Sequence, residues 1–127
     1  MLKSLLIVGA GSFVGGALRY LISAYMKNIY GQGQGFPWGT LAVNLLGCFA
    51  FGILFAAFSK HSATDNTWYL LLTTGVCGGF TTFSTFASES VQMLQQGNTF
   101  GFVGYVAASI ILGFLLIALG YWLVSKF

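Results

Sequence analysis

Apolar residues fall in four long blocks separated by short polar clusters. The blocks run roughly over Leu2–Met26, Trp38–Phe58, Thr67–Leu94 and Phe100–Val124. Each is long enough to cross a bilayer as a helix, which takes about 20 mostly apolar residues. The separators read as loops and turns. Lys27–Pro37 is rich in glycine and glutamine and ends in the only proline, Lys60–Asn66 is polar, and Gln95–Asn98 is a tight turn. Trp38, Trp68 and Trp122 stand at block ends, where amphipathic rings favour the membrane interface. The pattern predicts an all-α membrane protein of four transmembrane helices, forming one domain over residues 1–127. The first block is too long for a signal peptide, carries no cleavage site and contains Arg19.

Composition agrees. Hydrophobic residues make up 57% of the 127 positions and charged residues 6%, with a mean hydropathy of +0.84. A soluble domain carries about 25% charged residues, so this chain has too few to build a polar surface. No charge lies between Lys3 and Arg19, Lys27 and Lys60, Asp65 and Glu89, or Glu89 and Lys126.

Four spans put both termini on one side with the Lys60 loop, giving Lys3, Lys60 and Lys126 there against Lys27 and Arg19 on the other. The positive-inside rule needs a clear excess to set orientation. Two readings follow: a weakly biased protein with cytoplasmic termini, or dual topology, in which oppositely inserted copies pair as an antiparallel homodimer. Four thin helices alone cannot enclose a polar path, so an oligomer is expected either way. Gly11/Gly15 and Ser12/Gly16 form small-xxx-small pairs, while Gly47, Gly52, Gly104, Gly113 and Gly120 thin the second and fourth spans. Such residues let helices approach closely in lipid.

The chemical inventory excludes more than it offers. Asp65 and Glu89 are the only acids, and His61 the only histidine. They form no metal-ligand cluster and no catalytic pair. Cys48 and Cys77 lie mid-span without CxxC spacing and read as small apolar residues. Neither a nucleotide-binding loop nor a basic run for nucleic acid occurs, so an enzyme is not expected. A proton-coupled exporter of the small multidrug type needs a carboxylate deep in its first span, and this first span has none. A structural subunit of a larger membrane complex is a third class.

Uncharged polarity inside the spans remains. Thr40 and Asn44 share one helix face, as do Tyr105 and Ser109. Single hydroxyls satisfy themselves on the preceding turn, but the two donors of an asparagine amide cannot both do so. Asn44 is therefore interhelical glue or a ligand group. The third span carries Gly78–Phe86, GGFTTFSTF, where glycines and β-branched threonines weaken a helix. A break over Gly78–Thr82 is predicted. At bilayer depth it requires protein or a wet cavity around it, and its freed carbonyls would suit a small hard cation. Phe83 and Phe86 share a face; they either pack in the ordinary way or turn positive ring edges toward a small anion.

Two motifs, GTLAVNLLG (Gly39–Gly47) and TGVCGGFTTFSTFASE (Thr74–Glu89), resemble those of the Fluc fluoride channels, also called CrcB. The resemblance extends over the whole chain, through its length, its four spans and Arg19. It implies antiparallel dual-topology homodimers in the cytoplasmic membrane, with two fluoride pores and a central structural Na+, exporting fluoride passively. Residue by residue, it implies that Phe83 and Phe86 present ring edges to fluoride and that Asn44 donates to it. Ser84 and Thr85 match hydroxyl positions beside the pore, Tyr105 and Ser109 a polar track, Thr40 a pore mouth, and Arg19 the vestibule. The carbonyls of Gly78 and Thr81 match the sodium positions. The resemblance also implies a polar residue one turn after Ser109, and this chain departs from it with Gly113.

Overall fold

A computed structural model describes residues 1–31, 35–61 and 66–127. Asp65 and parts of both long loops lie outside them. Every described element is helical: α1 (Leu2–Tyr30), α2 (Trp38–Lys60), α3 (Thr67–Leu70), a π-helical stretch (Leu71–Cys77), α4 (Gly78–Phe80), α5 (Phe83–Gln95) and α6 (Thr99–Lys126). The pieces from α3 to α5 are the third span, so four spans are present, each apolar and long enough to cross a membrane. At 1.5 Å per residue, the 23 residues of α2 cover about 35 Å, against a hydrocarbon core of about 30 Å. The first, second and fourth helices run up to about one turn beyond the expected boundaries.

Polar side chains set the helix ends that apolar periodicity cannot. Asn66 Oδ1 accepts from Trp68 N–H at 2.7 Å, and Asn98 Oδ1 accepts from Gly101 N–H at 2.9 Å, each satisfying an orphan donor of a first turn. The turn between α5 and α6 closes through Gly97, whose φ of +76° is left-handed. Gly97 N–H donates to the Leu94 carbonyl at 3.1 Å and Asn98 N–H to that of Met93 at 2.8 Å. This paired pattern absorbs two carbonyls of the last turn.

Glycine decides how closely the spans approach. Gly11 and Gly15 of α1 meet the first half of the third span backbone to backbone. A Cβ on Gly11 would stand 2.8 Å from the Gly75 Cα, one on Gly75 3.0 Å from the Gly11 Cα, and one on Gly79 2.6 Å from the Ser12 carbonyl oxygen. Two small-xxx-small pairs, 11/15 and 75/79, therefore face each other within one chain. The pair at Gly11/Gly15 expected to serve oligomer packing is consumed by this intrachain contact, because both glycines are buried. Ser12 Oγ adds a bond to the Gly75 carbonyl at 3.4 Å. The second and fourth spans meet similarly: a Cβ on Gly120 would lie 2.6 Å from the Phe49 carbonyl oxygen, and one on Gly113 3.5 Å from Cys48 Sγ.

The third span is interrupted, but over a shorter stretch than Gly78–Thr82. Gly78 is α-helical (φ −63°, ψ −38°), and Thr81 N–H still reaches the Cys77 carbonyl at 3.0 Å. The chain leaves the helix at Thr81 (φ −84°, ψ 157°) and Thr82 (φ −147°, ψ 118°), the extended region that β-branched residues favour. The glycines thus do not make the break; Gly79 makes room for α1. Before the break, the helix widens. Thr73 Oγ1 donates to the Tyr69 carbonyl at 2.6 Å, competing for the acceptor of its own amide. Such back-bonding perturbs the ladder, and the i→i+5 turns of Leu71–Cys77 lie where it does so.

Gly79→Ala should destabilise the fold by about 1–3 kcal/mol, the usual range for overpacking, because its methyl meets backbone. Gly9→Ala, with nothing within 4 Å, should be neutral or slightly stabilising. Thermal unfolding in detergent checks both, and equal midpoints for the two variants would contradict the seam.

Candidate functional site

The break at Thr81–Thr82 falls at the middle of the third span, whose bounds are Thr67 and Gln95. An unpaired backbone group at that depth costs several kcal/mol. Asn44 supplies what the helix no longer does. Its Oδ1 accepts from Thr82 N–H at 2.7 Å and its Nδ2 donates to the Thr82 carbonyl at 3.1 Å. One side chain of α2 thereby pairs both polar groups of one residue, as a neighbouring strand would. Of the two readings left open for Asn44, the glue is present, and one Nδ2–H remains beyond it. Taking Thr82 N–H also removes the donor that would have continued the ladder to the Gly78 carbonyl.

Thr82 then starts α5. Its Oγ1 accepts from Thr85 N–H at 3.2 Å, an N-cap, and it lies 3.1 Å from Thr85 Oγ1 and 3.4 Å from Ser84 Oγ. Three hydroxyls thus gather at the first turn of α5. Thr82 was not singled out from the sequence as a site residue. Its signal was an N-cap threonine followed three positions later by another hydroxyl residue.

A cavity of about 760 Å³ reaches this turn from the end of the bundle where α1 stops. Its walls include Thr40, Ser84, Thr85, Ser88, Glu89 and Lys27. Thr40, Ser84 and Thr85, expected near a pore, are therefore brought together. Thr40 is buried at 6% exposure. Beside them runs a chain of aromatic rings. Phe83 and Phe86 lie 5.8 Å apart between centroids, Phe86 and Tyr105 5.0 Å, and Tyr105 and Phe36 5.5 Å, edge to face. Phe83 is 79% exposed, whereas Tyr105 is fully buried. The Tyr105 hydroxyl donates to Glu89 Oε1 at 3.2 Å. Glu89 and Phe36 were missed as contributors: neither spacing nor residue type in a single sequence joins α5 to α6 or to the loop before α2.

The remaining expected residues stand apart from the cavity. Among the described residues, Ser109 Oγ and Arg19 Nε are buried without a hydrogen-bond partner, so Tyr105 and Ser109 share a face of α6 without sharing a network. Gly78 is exposed on the helix before the break and Thr81 lies at it, its own Oγ1 donating to the Cys77 carbonyl at 2.9 Å. The arrangement offers uncharged donors, ring edges and backbone carbonyls around a mid-span interruption. Such groups can replace the hydration shell of a small ion without a full charge in the membrane.

The sequence has known relatives. Residues 6–121 match the family model described as CrcB-like protein, camphor resistance (CrcB). A protein of Leptospira interrogans named fluoride-specific ion channel FluC is 41% identical over 125 residues, covering 98% of this chain and 97% of that one. Proteins of the same name from Phocaeicola vulgatus and Escherichia coli are 46% identical over 123 residues and 42% identical over 125. They cover 96% and 98% of this chain, and 98% and 96% of their own lengths. This likeness sets aside the multidrug exporter. With four apolar spans and a family match over nearly its whole length, the chain belongs to the CrcB-like family of multi-pass membrane proteins.

Proposed function

We propose that this protein is a fluoride-selective ion channel, not an enzyme, which exports fluoride passively across the cytoplasmic membrane as one four-span domain in an antiparallel, dual-topology homodimer. The full-length likeness to proteins named fluoride-specific ion channels carries this reading. The site supports it chemically. Fluoride is small and strongly hydrated, so a path for it must offer close hydrogen-bond donors. Binding must be favourable enough to admit the ion and weak enough to release it. Phe83 and Phe86 present ring edges, the remaining N–H of Asn44 and the hydroxyls of Ser84 and Thr85 donate, and Tyr105, Ser109 and Thr40 extend the polar path. Arg19 supplies positive potential in the vestibule. Gly113, facing Cys48, adds no donor to the lower track.

The dimer is supported by what one protomer leaves uncovered. Phe83 is largely exposed, and Gly78 is exposed with space where a Cβ would stand, its nearest contact being the Thr73 carbonyl oxygen at 3.8 Å. A Na+ ion fits the same place. The Gly78 carbonyl has lost its helical donor to Asn44, and the extended ψ of Thr81 turns its carbonyl away from the helix. Two such oxygens from each of two chains make a neutral, hard donor set suited to a monovalent cation. When bound, the ion supplies fixed positive potential beside the anion paths, stronger at low dielectric. The residues of this chain do the rest: Asn44 holds the break open, and Thr82 caps the helix beyond it.

Purified protein in pure lipid vesicles should release fluoride down its gradient with no proton gradient applied, and retain chloride. Ion-selective electrodes read both. Equal fluoride and chloride rates, or a strict need for a proton gradient, would overturn the channel reading. Phe83→Ile keeps apolar bulk and removes the ring edge. It should lower fluoride flux by about tenfold, the upper range of an aromatic edge contact, while the size-exclusion profile stays unchanged. Wild-type flux in that variant would remove Phe83 from the path. For topology, His61→Cys with Cys48 and Cys77 replaced by serine should label about half from outside the cell, as a balanced Lys/Arg count implies. Labelling from one side only would contradict the antiparallel dimer.

A further inference from the structure

Glu89 has no part in the path described above. Asp65 lies outside the described residues, so Glu89 is the one acid among them. It lines the cavity together with Lys27, and two roles are open to it. Its charge could act directly on ions in the cavity, or its oxygen could act on the protein. The geometry points to the second. Tyr105 is fully buried and has a single O–H, which it gives to Glu89 Oε1 at 3.2 Å. Its ring sits between Phe36, edge-on at 5.5 Å, and Phe86 at 5.0 Å. Phe86 in turn meets Phe83 at 5.8 Å. Phe86 and Glu89 are three residues apart on α5 and so share a face. Tyr105, from α6, closes across that face, touching one residue with its ring and the other with its hydroxyl.

We infer that Glu89 is a positioning residue that fixes the ring of Tyr105, and through it the orientation of Phe86 in the ion path. The inference rests on the reading of Phe86 as a pore ring. Phe36 and Phe86 pack against the Tyr105 ring, but apolar contacts are non-directional. The hydrogen bond to Glu89 is directional and anchors the far end of the ring, fixing where it stands against Phe86. The ring edge that Phe86 presents then depends on a bond made at the cavity wall, one helix turn further along α5. What this requires of residue 89 is an acceptor oxygen, not a negative charge.

Fluoride efflux from vesicles separates the two roles, with size-exclusion profiles confirming that each variant assembles as the wild type does. Glu89→Gln keeps a carbonyl acceptor for the phenol and loses the charge; it should stay close to wild-type flux. Tyr105→Phe and Glu89→Ala each break the bond and should each lower flux by about tenfold, the upper range of one ordinary hydrogen bond. The double variant should be no slower than either single one, because both remove the same interaction. If Glu89→Gln is as slow as Glu89→Ala while Tyr105→Phe conducts normally, the carboxylate acts by charge and the positioning role is wrong. Multiplying losses in the double variant likewise overturn it. Should Glu89→Ala fail to assemble, Glu89→Gln and Tyr105→Phe still decide between the roles. Wild-type vesicles run in parallel test the function itself. No fluoride release from them removes the channel reading and this inference together, whereas conducting wild type with uncoupled variants removes the inference alone.

Discussion

A polypeptide that leaves the helix in the middle of a membrane must pair every backbone donor and acceptor it releases, and in this protein Asn44 meets that requirement. The asparagine amide places a strong donor and a strong acceptor side by side in one plane on a short side chain. That is why it can answer the N–H and C=O of Thr82 together. Without it, two unsatisfied groups at several kcal/mol each would favour closing the helix through Thr81–Thr82. A closed helix would bury the Gly78 carbonyl in the ladder, remove the N-terminus of α5 and rotate Phe83 and Phe86 away from their present faces. The interruption, the hydroxyl cluster and the aromatic row are consequences of one clamp.

The clamp works only because the spans are held at fixed distances. Facing glycine pairs let α1 touch the first half of the third span along its backbone, and Gly52 and Gly120 do the same for α2 and α6. In lipid there is little hydrophobic drive between helices, so close packing must supply the association. It also makes the assembly stiff, since a backbone contact has no side-chain rotamer with which to yield. The end of α4 is thereby pinned against α1 while Asn44 approaches from α2. The break is a gap between two rigid pieces and not a flexible joint.

At the break itself, polarity is arranged without charge. Thr40, Ser84 and Thr85 meet a cavity at one end, the aromatic row leads to the break, and Ser109 Oγ waits unpaired on the fourth span. Dipoles and ring edges stabilise an anion less than a cation would, which suits conduction: binding must compensate dehydration yet permit departure. The one carboxylate in the described structure is engaged by Tyr105, so its influence passes through a ring already in contact with Phe86.

Much of this was legible in the order of residues. Four apolar blocks without charges dictate four spans, because lipid accepts little else, and their predicted limits lie within about a turn of those observed. The run Gly78–Phe86 announced an interrupted third span, and the motif pair pointed to the family. The causes inside the interruption were not legible. Glycine is flexible by itself, so Gly78–Gly79 read as the weak point, yet both remain helical, and two threonines leave the helix instead. Whether a glycine bends a helix or admits a neighbour depends on what stands opposite, and Ser12 of α1 is 67 residues from Gly79 (79 − 12). Asn44 had no identified partner until the fold set Thr82 beside it, and Glu89 had none until α6 brought Tyr105 to it. One-dimensional pattern sets which residues must be buried and which segments must be helical, through hydrophobicity and backbone propensity. Tertiary structure alone assigns a partner to each polar group, because hydrogen bonding is decided by distance and direction between helices far apart in sequence.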